Sequence, residues 1–489
     1  MTYSQNLSHI TACIFSLFII AACSSSENTT VVTDAPTSSS QTDEGSEAVA
    51  TSDSFQQLSI GENQPIRTLD PLSVENAAGM RAVQLIYEGL LRFNESGTPM
   101  PAVAREYTTS NNNKTYRFNL RTDLFYHDNT VFSNGTGRKL VASDVQYVFE
   151  RMAKNNVPDA AAKLFMNIRG FEPYYREQQQ IKYTADRQLD TISGITVSND
   201  STITFKLVEP DPDFLKKLAS PRAVIYPKEA VNNSGFNAVG TGAFTLSQKR
   251  NDSMYILAKF ENYRIDGQPS LDRIDIQTSS DDTAMLNALK RGDIQLIPQM
   301  SPTQIQMVSN KDGSLKSSFQ SNLQLYPDNG ILAYYLHYNT GADVSSNAVA
   351  NTLSQIDQDG FFSDLRDDVK IKWSLPESSG STVDSLRSTY SADPYVKQFY
   401  DELSYKLKQN GVAFSESTSR IANRTIPLYV SAYLPYRDIS ISTVPDNVFA
   451  AIMVTSNAIA HKNLRNLNFN NMPLWIDLRD VTVQSTDNP

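Results

Sequence analysis

Thr68-Leu69-Asp70-Pro71-Leu72-Ser73-Val74-Glu75-Asn76-Ala77, continued from Met80 to Leu91, is the stretch on which the fold turns. Asp70-Pro71 fixes a turn, because proline presets its own φ and an aspartate side chain bonds back to nearby backbone N–H groups. Beyond it, Met80, Val83, Tyr87, Leu90 and Leu91 recur at helical spacing, which predicts a helix over 80–91 with one buried face. Gln57 to Ile60 ahead of the turn reads as a strand. Tyr116 to Leu120 behind it alternates as a half-buried strand does. Strand, turn, helix and strand in that order open an α/β chain.

The alternation continues downstream. Asn134-Gly135 marks a tight turn, and Ser143 opens a helix with Gln146 as its capping-box partner and Val145, Val148, Phe149 and Met152 as its apolar face. Thr202 to Leu207 is strand-like. Ala284 to Arg291 is a short helix stopped by Gly292, and Ile294 to Ile297 is the strand after it. Asp393-Pro394 starts another helix, with Val396, Phe399, Leu403 and Leu407 as its stripe and Gly411 as its stop. Ile426 to Tyr433 and Leu474 to Val483 read as late strands. Gly240 and Gly242 permit close backbone packing; no third glycine or lysine follows to make a phosphate loop.

Of 489 residues, 40% are apolar and 10% aromatic, the make-up of an ordinary globular protein of two to three domains. The net charge is −10, and residues 24–54 carry Glu27, Asp34, Asp43, Glu44, Glu47 and Asp53 with no Lys or Arg. Setting those six acids aside leaves −4, so the folded part is close to neutral. Without a basic stripe, nucleic acid is a poor partner. Segment 23–54 is too poor in large apolar residues to fold and is expected to be a disordered acidic tether. The apolar run Ile10 to Ala22 is about 13 residues, short of the roughly 20 that span a bilayer, so residues 1–22 read as a secretory signal even though Met1 to His9 has no Lys or Arg. Ile20-Ala21-Ala22-Cys23 resembles the lipobox of bacterial lipoproteins, which makes Cys23 the lipidated residue and the bilayer a partner. Cys13 leaves with the signal, so no internal disulfide is expected.

Thr68-Leu69-Asp70-Pro71 followed by Tyr87-Glu88-Gly89-Leu90-Leu91 is similar to a pattern of the bacterial extracellular solute-binding proteins of the dipeptide/oligopeptide class, family 5, which feed ABC importers. The resemblance extends through Gly97 with Pro101 and Ala104, Phe118-Asn119-Leu120-Arg121, Tyr126-His127-Asp128, and Ala142-Ser143-Asp144-Val145 ahead of Phe149-Glu150-Arg151. Gly240-Thr241-Gly242-Ala243-Phe244, Asn262-Tyr263, Pro269 to Ile274 and Ala288 to Ile294 complete it over residues 57–297, with Leu336 to Thr340 and Met472 to Trp475 as later fits. It implies an α/β, two-lobed periplasmic-binding-protein-like fold with an extra subdomain inserted in the first lobe. The expected division is 55–93 and 192–279 for the first lobe, 94–191 for the insert, 280–459 for the second lobe, and 460–489 for a segment closing the first. The implied function is capture of a peptide or similar elongated solute between the lobes and delivery to membrane permease subunits, by a monomer at the extracytoplasmic face, without cofactor or metal.

Site residues follow from the resemblance position by position. Glu75 and Ala77, with Asn76 between them, fall where family members touch ligand; Glu75 as an acid capping the following helix is an equal reading. Tyr433-Leu434-Pro435-Tyr436-Arg437-Asp438 stands where peptide binders carry an aspartate that holds the ligand ammonium. Asp438 is the candidate anchor, flanked by Tyr433 and Tyr436; the alternative is a solvated acid paired with Arg437. The family's tryptophan before that aspartate is missing. Trp373, within Lys372-Trp373-Ser374-Leu375-Pro376, is a candidate cleft residue covering a ligand, or else packs at a lobe surface.

Enzymatic signatures are scarce. Four isolated histidines show no metal-ligand spacing, and no nucleophile elbow appears. A carboxylate pair of glycosidase type stays open, since its members would come from distant segments. The main rival to transport is a lipoprotein that senses a solute or docks another envelope protein on the same scaffold.

Overall fold

The computed structural model describes residues 30–33, 55–233, 235–251, 253–310, 312–327, 331–339, 341–358, 361, 369–377, 380–391, 393–417, 426–433, 448–469 and 476–484. Strand Gln57–Glu62 is the organising element. It lies inside a seven-stranded sheet, parallel to Arg273–Thr278 on one side and Leu296–Ile297 on the other. Phe244–Arg250 and Met254–Lys259 extend that sheet one way, and Ala458–His461 and Leu323–Tyr326 the other. Gln57–Glu62 is buried at five of its six positions, as expected of a strand covered on both faces.

A second sheet of six strands runs Val369–Trp373, Val448–Thr455, Ile331–Tyr338, Leu428–Tyr433, Ser385–Thr389, Ala413–Ser417. The chain passes from the first sheet to the second between Tyr326 and Ile331 and returns between Thr455 and Ala458. The two crossings lie side by side, because Tyr326 pairs with Ala458 below them and Ile331 with Thr455 above. A third, five-stranded sheet (Thr30–Thr33, Ala104–Ser110, Thr115–Leu120, Thr202–Lys206, Ile195–Asn199) takes four of its strands from the excursion between Glu62 and Phe244. The molecule is thus a two-lobed α/β fold with an inserted unit. Segment 280–459 feeds both large sheets, since 296–297, 323–326 and 458–459 pair within the first.

The insert is tied down at two places that the motifs anticipate in part. The Asp70 carboxylate accepts backbone N–H from Leu72 and side-chain bonds from Ser73, Arg151 Nη1 at 2.8 Å and Arg151 Nη2 at 2.6 Å. Arg151 lies in the last turn of helix Ala142–Met152 of the insert, and both members of the pair are buried. Gly242 donates to the Ile86 carbonyl, and a Cβ there would lie 2.5 Å from that carbonyl carbon; at Gly240 it would lie 2.1 Å from the Ile86 oxygen. Side chains are excluded by backbone, which is why this stretch reads Gly-Thr-Gly. Nearby, the buried His127 ring bonds the Gly242 carbonyl through Nε2 and accepts from Gly240 N–H at Nδ1.

Several local expectations are corrected. The helix predicted over 80–91 is Ala77–Ile86: it starts earlier because the Asn76 side chain accepts from Gly79 N–H, and it ends at Tyr87, whose backbone is extended. Leu90 and Leu91 are core residues at the entry to and start of strand Leu91–Phe93, so their spacing imitated a helix without belonging to one. Nearly all of this helix is buried, on every face. The second predicted cap is displaced by two residues. Helix Ala142–Met152 is capped by Asp144, whose carboxylate accepts from Val141 N–H, while Gln146 donates to Glu150 one turn on. Thr30–Thr33, within the segment expected to be structureless, pairs antiparallel with Ala104–Ser110; backbone hydrogen bonding to an open edge needs no large side chains. The late strand expected over 474–483 is two short pieces, Ile476–Asp477 and Thr482–Val483, that pair with different partners.

Candidate functional site at the junction of the sheets

Strand Ile331–Tyr338 alternates between two environments. Leu332, Tyr334, Leu336 and Tyr338 join the main core, where helices Ser346–Ser354 and Pro394–Gln409 pack. Ala333 and Tyr335 belong instead to a small separate cluster with Val448 and Ala451 on the opposite face. His337 shares that face and stacks on its cross-strand partner Tyr429, with ring centroids 4.8 Å apart and planes 10° from parallel. Tyr335 lies 6.2 Å from the His337 ring. Both helices pack on the other side, so Tyr335, His337 and Tyr429 form an aromatic row on the face away from them, with Tyr335 buried and His337 and Tyr429 half-buried. Lys163, on helix Ala160–Leu164 of the insert, interacts electrostatically with Tyr429. Burial disfavours its ammonium, but Asp159 at 2.9 Å outweighs that, and Tyr429 and Tyr175 add to the upward shift. The electrostatic link from Lys163 to Tyr429 spans insert and second sheet.

The base of the junction is a buried polar chain. Glu62, at the end of the organising strand, holds Arg81 through two bonds of 2.5 and 2.8 Å. Arg81 reaches the Gln299 amide oxygen, and Asn63 exchanges amide bonds with Gln304. Gln64 donates to Asp393, which also accepts from Tyr334 on the second sheet at 2.7 Å and caps helix Pro394–Gln409. Burial raises the pKa of Asp393 despite these four donors. Tyr395 then donates to the Met300 carbonyl, a further bond between the two sides. Gln64–Asp393–Tyr334 and Tyr395–Met300 tie the side of the first sheet to that of the second, so the polar chain braces the junction.

The structure separates the residues nominated from sequence. Glu75 is exposed just before helix Ala77–Ile86; the capping role belongs to Asn76, which also donates to the Pro65 carbonyl, and Ala77 is buried. Trp373 ends the edge strand Val369–Trp373 opposite Ala450, which itself pairs with Leu336 of the main core. Its ring packs against Phe361 and Phe399, at 5.3 and 6.3 Å, so it occupies the helix-covered face and not the Tyr335 face. The packing alternative describes its surroundings. Tyr433 pairs with Ala333 through its backbone. Cys23, Tyr436 and Asp438 lie outside the described residues.

Tyr335, His337, Tyr429 and Lys163 were not found from sequence. Their signal was the alternation in Ile331 to Tyr338, which separates two faces without saying which is covered. Among the described residues no three of His, Cys, Asp or Glu converge as metal ligands, and no helix is long and apolar enough to cross a membrane.

Two sheets joined by adjacent crossings are the build of a clamshell binding protein. Residues 98–364 match the family model of the bacterial extracellular solute-binding proteins, family 5 Middle. The chain belongs to that family. It is 28% identical over 264 residues to the dipeptide-binding protein of Escherichia coli, a match covering 52% of this chain and 45% of that protein, so it spans less than half of that relative's length. Among solved structures, Listeria monocytogenes OppA bound to peptide superposes with a TM-score of 0.68 at 15% identity, over 88% of this chain and 99% of that one. The binding protein AgaA of A. tumefaciens in complex with agropinic acid gives 0.62 at 16% identity, over 88% and 99%.

Proposed function

We propose that this chain captures a peptide, or a similarly elongated solute, between its two lobes and delivers it to an ABC permease while tethered to a membrane through acyl chains on Cys23. The observation that carries the reading is the aromatic face Tyr335–His337–Tyr429, with Lys163 of the insert electrostatically linked to Tyr429, in a molecule whose two sheets are joined at adjacent crossings. Aromatic rings supply apolar area that tolerates varied side chains, and strand-like backbone pairing supplies the common part of the recognition. In this reading the second lobe is built on residues 331–455, a shorter span than 280–459, and the segment 280–326 stays with the first. The dipeptide, oligopeptide and tripeptide binders among its relatives support peptides. No catalytic step is part of the reading. Glu75 and Asp438 remain its candidates for ligand contact.

Native mass spectrometry of the protein purified without denaturation from its source cell tests the ligand class. A ladder of short peptides released on dissociation is expected. A single non-peptide species would keep the scaffold and discard the peptide reading, as the complex of AgaA with agropinic acid makes concrete. Globomycin-sensitive incorporation of labelled fatty acid, lost in Cys23→Ser, tests the anchor separately.

A further inference from the structure

Away from the aromatic face, three guanidinium groups meet two carboxylates in the first lobe. Glu88 accepts from Tyr263 Oη at 2.9 Å and from Arg264 Nε at 3.2 Å, with Thr241 at 3.5 Å. Asp477 takes two bonds from Arg479, at 2.8 and 2.5 Å, and Arg479 reaches back to the Tyr263 hydroxyl at 3.3 Å. Arg92, on strand Leu91–Phe93, completes the group. Burial and the repulsion of Arg479 and Arg264 lower its pKa, against the attraction of Asp477.

Among the described residues the charges do not balance: three cations face two anions. Two donors are also left over. Arg92 Nε and Arg264 Nη2 are buried without a hydrogen-bond partner, and the Arg264 side chain is only 5% exposed. A buried guanidinium N–H without an acceptor is costly, and a surplus buried charge more so. The open N–H groups ask for an acceptor and the surplus charge asks for an anion, and one oxyanion answers both. Forked guanidinium groups match the oxygens of a phosphate or sulfate.

We propose that Arg92, Arg264 and Arg479 form a binding site for one small free oxyanion of the phosphate or sulfate class. A bilayer headgroup is disfavoured as the source, because Arg264 and Glu88 are too deeply buried to meet a flat surface. The site is independent of the solute held between the lobes.

The test is thermal unfolding of the whole protein with sodium phosphate or sulfate, against sodium chloride at matched ionic strength. The unmodified protein is expected to gain several degrees from the oxyanions beyond the chloride control, and Arg92→Met to lose that gain. In oxyanion-free buffer Arg92→Met is expected to melt no lower than the unmodified protein, because it relieves repulsion; an arginine with a merely structural role would lower the midpoint. Calorimetric titration with phosphate should show saturable binding, weakened roughly ten- to hundredfold in Arg92→Lys, which keeps the charge and loses the fork. Equal responses to phosphate and chloride, no saturable heat in the unmodified protein, or an undiminished response in either variant would overturn the proposal. Ligand released from the cleft should be the same in Arg92→Met, so the outcome is separable from that of the peptide reading.

Discussion

At the scale of single residues, the Asp70–Arg151 pair is where one atom group matters most. It joins a turn of the first lobe to the last turn of an insert helix, and the Tyr226 hydroxyl adds a third partner at 2.8 Å. Asp70→Ala would strand a buried guanidinium, and the expected loss is about 3–5 kcal/mol in chemical denaturation. An exposed pair such as Arg176–Glu172 should cost under about 1 kcal/mol when broken the same way. His127 supplies a pH dependence. Burial brings its pKa down from 6.5 to about 4, so the folded ring stays neutral where an unfolded one takes a proton. The unfolded state therefore binds more protons between pH 6.5 and 4, and stability falls as pH drops through that window, by about 3 kcal/mol in total. Urea midpoints measured from pH 7 to 4 should show the decline, and His127→Gln should flatten it. Asp393 acts in the opposite sense, since its raised pKa favours the folded state at low pH, so part of the His127 effect is masked.

Among elements, helix Ala77–Ile86 shows what its sequence could and could not convey. Its cap is a property of Asn76, and Asn76→Ala should cost about 1 kcal/mol, with a further loss from the Pro65 bond, whereas Glu75→Gln should leave stability unchanged. Equal effects of the two changes would return the cap to Glu75. The elements set by local chemistry were legible: Asp393-Pro394 starts a helix through its own side-chain bonds, Gly292 and Gly411 stop theirs with positive φ, and Thr115–Leu120 alternates as its burial requires. What failed was anything needing a distant partner. Leu90 and Leu91 continue an apolar period into a strand, and Trp373 took its face from Ala450, far along the chain. The aromatic row was invisible for the same reason. Only the register of Ile331–Tyr338 against Leu428–Tyr433 brings His337 onto Tyr429.

For the whole molecule, the adjacent crossings predict bending about one axis. Addition of the released ligand should lower the radius of gyration in small-angle scattering, and Tyr429→Ala should weaken retention about tenfold with little change in melting temperature. Retention unchanged in Tyr429→Ala would remove the aromatic row from the site. The order of strands in the first sheet also sets a clock. Gln57–Glu62, near the N-terminal end, waits for Arg273–Thr278 and Leu296–Ile297, and Leu323–Tyr326 finds its sheet partner only in Ala458–His461. Loop closure over such distances is slow, and the sheet stays open until the last strand is made. A chain cut after Thr455 is expected to remain protease-sensitive and to lack a cooperative thermal transition. The same delay suits a polypeptide that has to be threaded through a narrow channel before it folds, because the element that would lock it is the last to arrive.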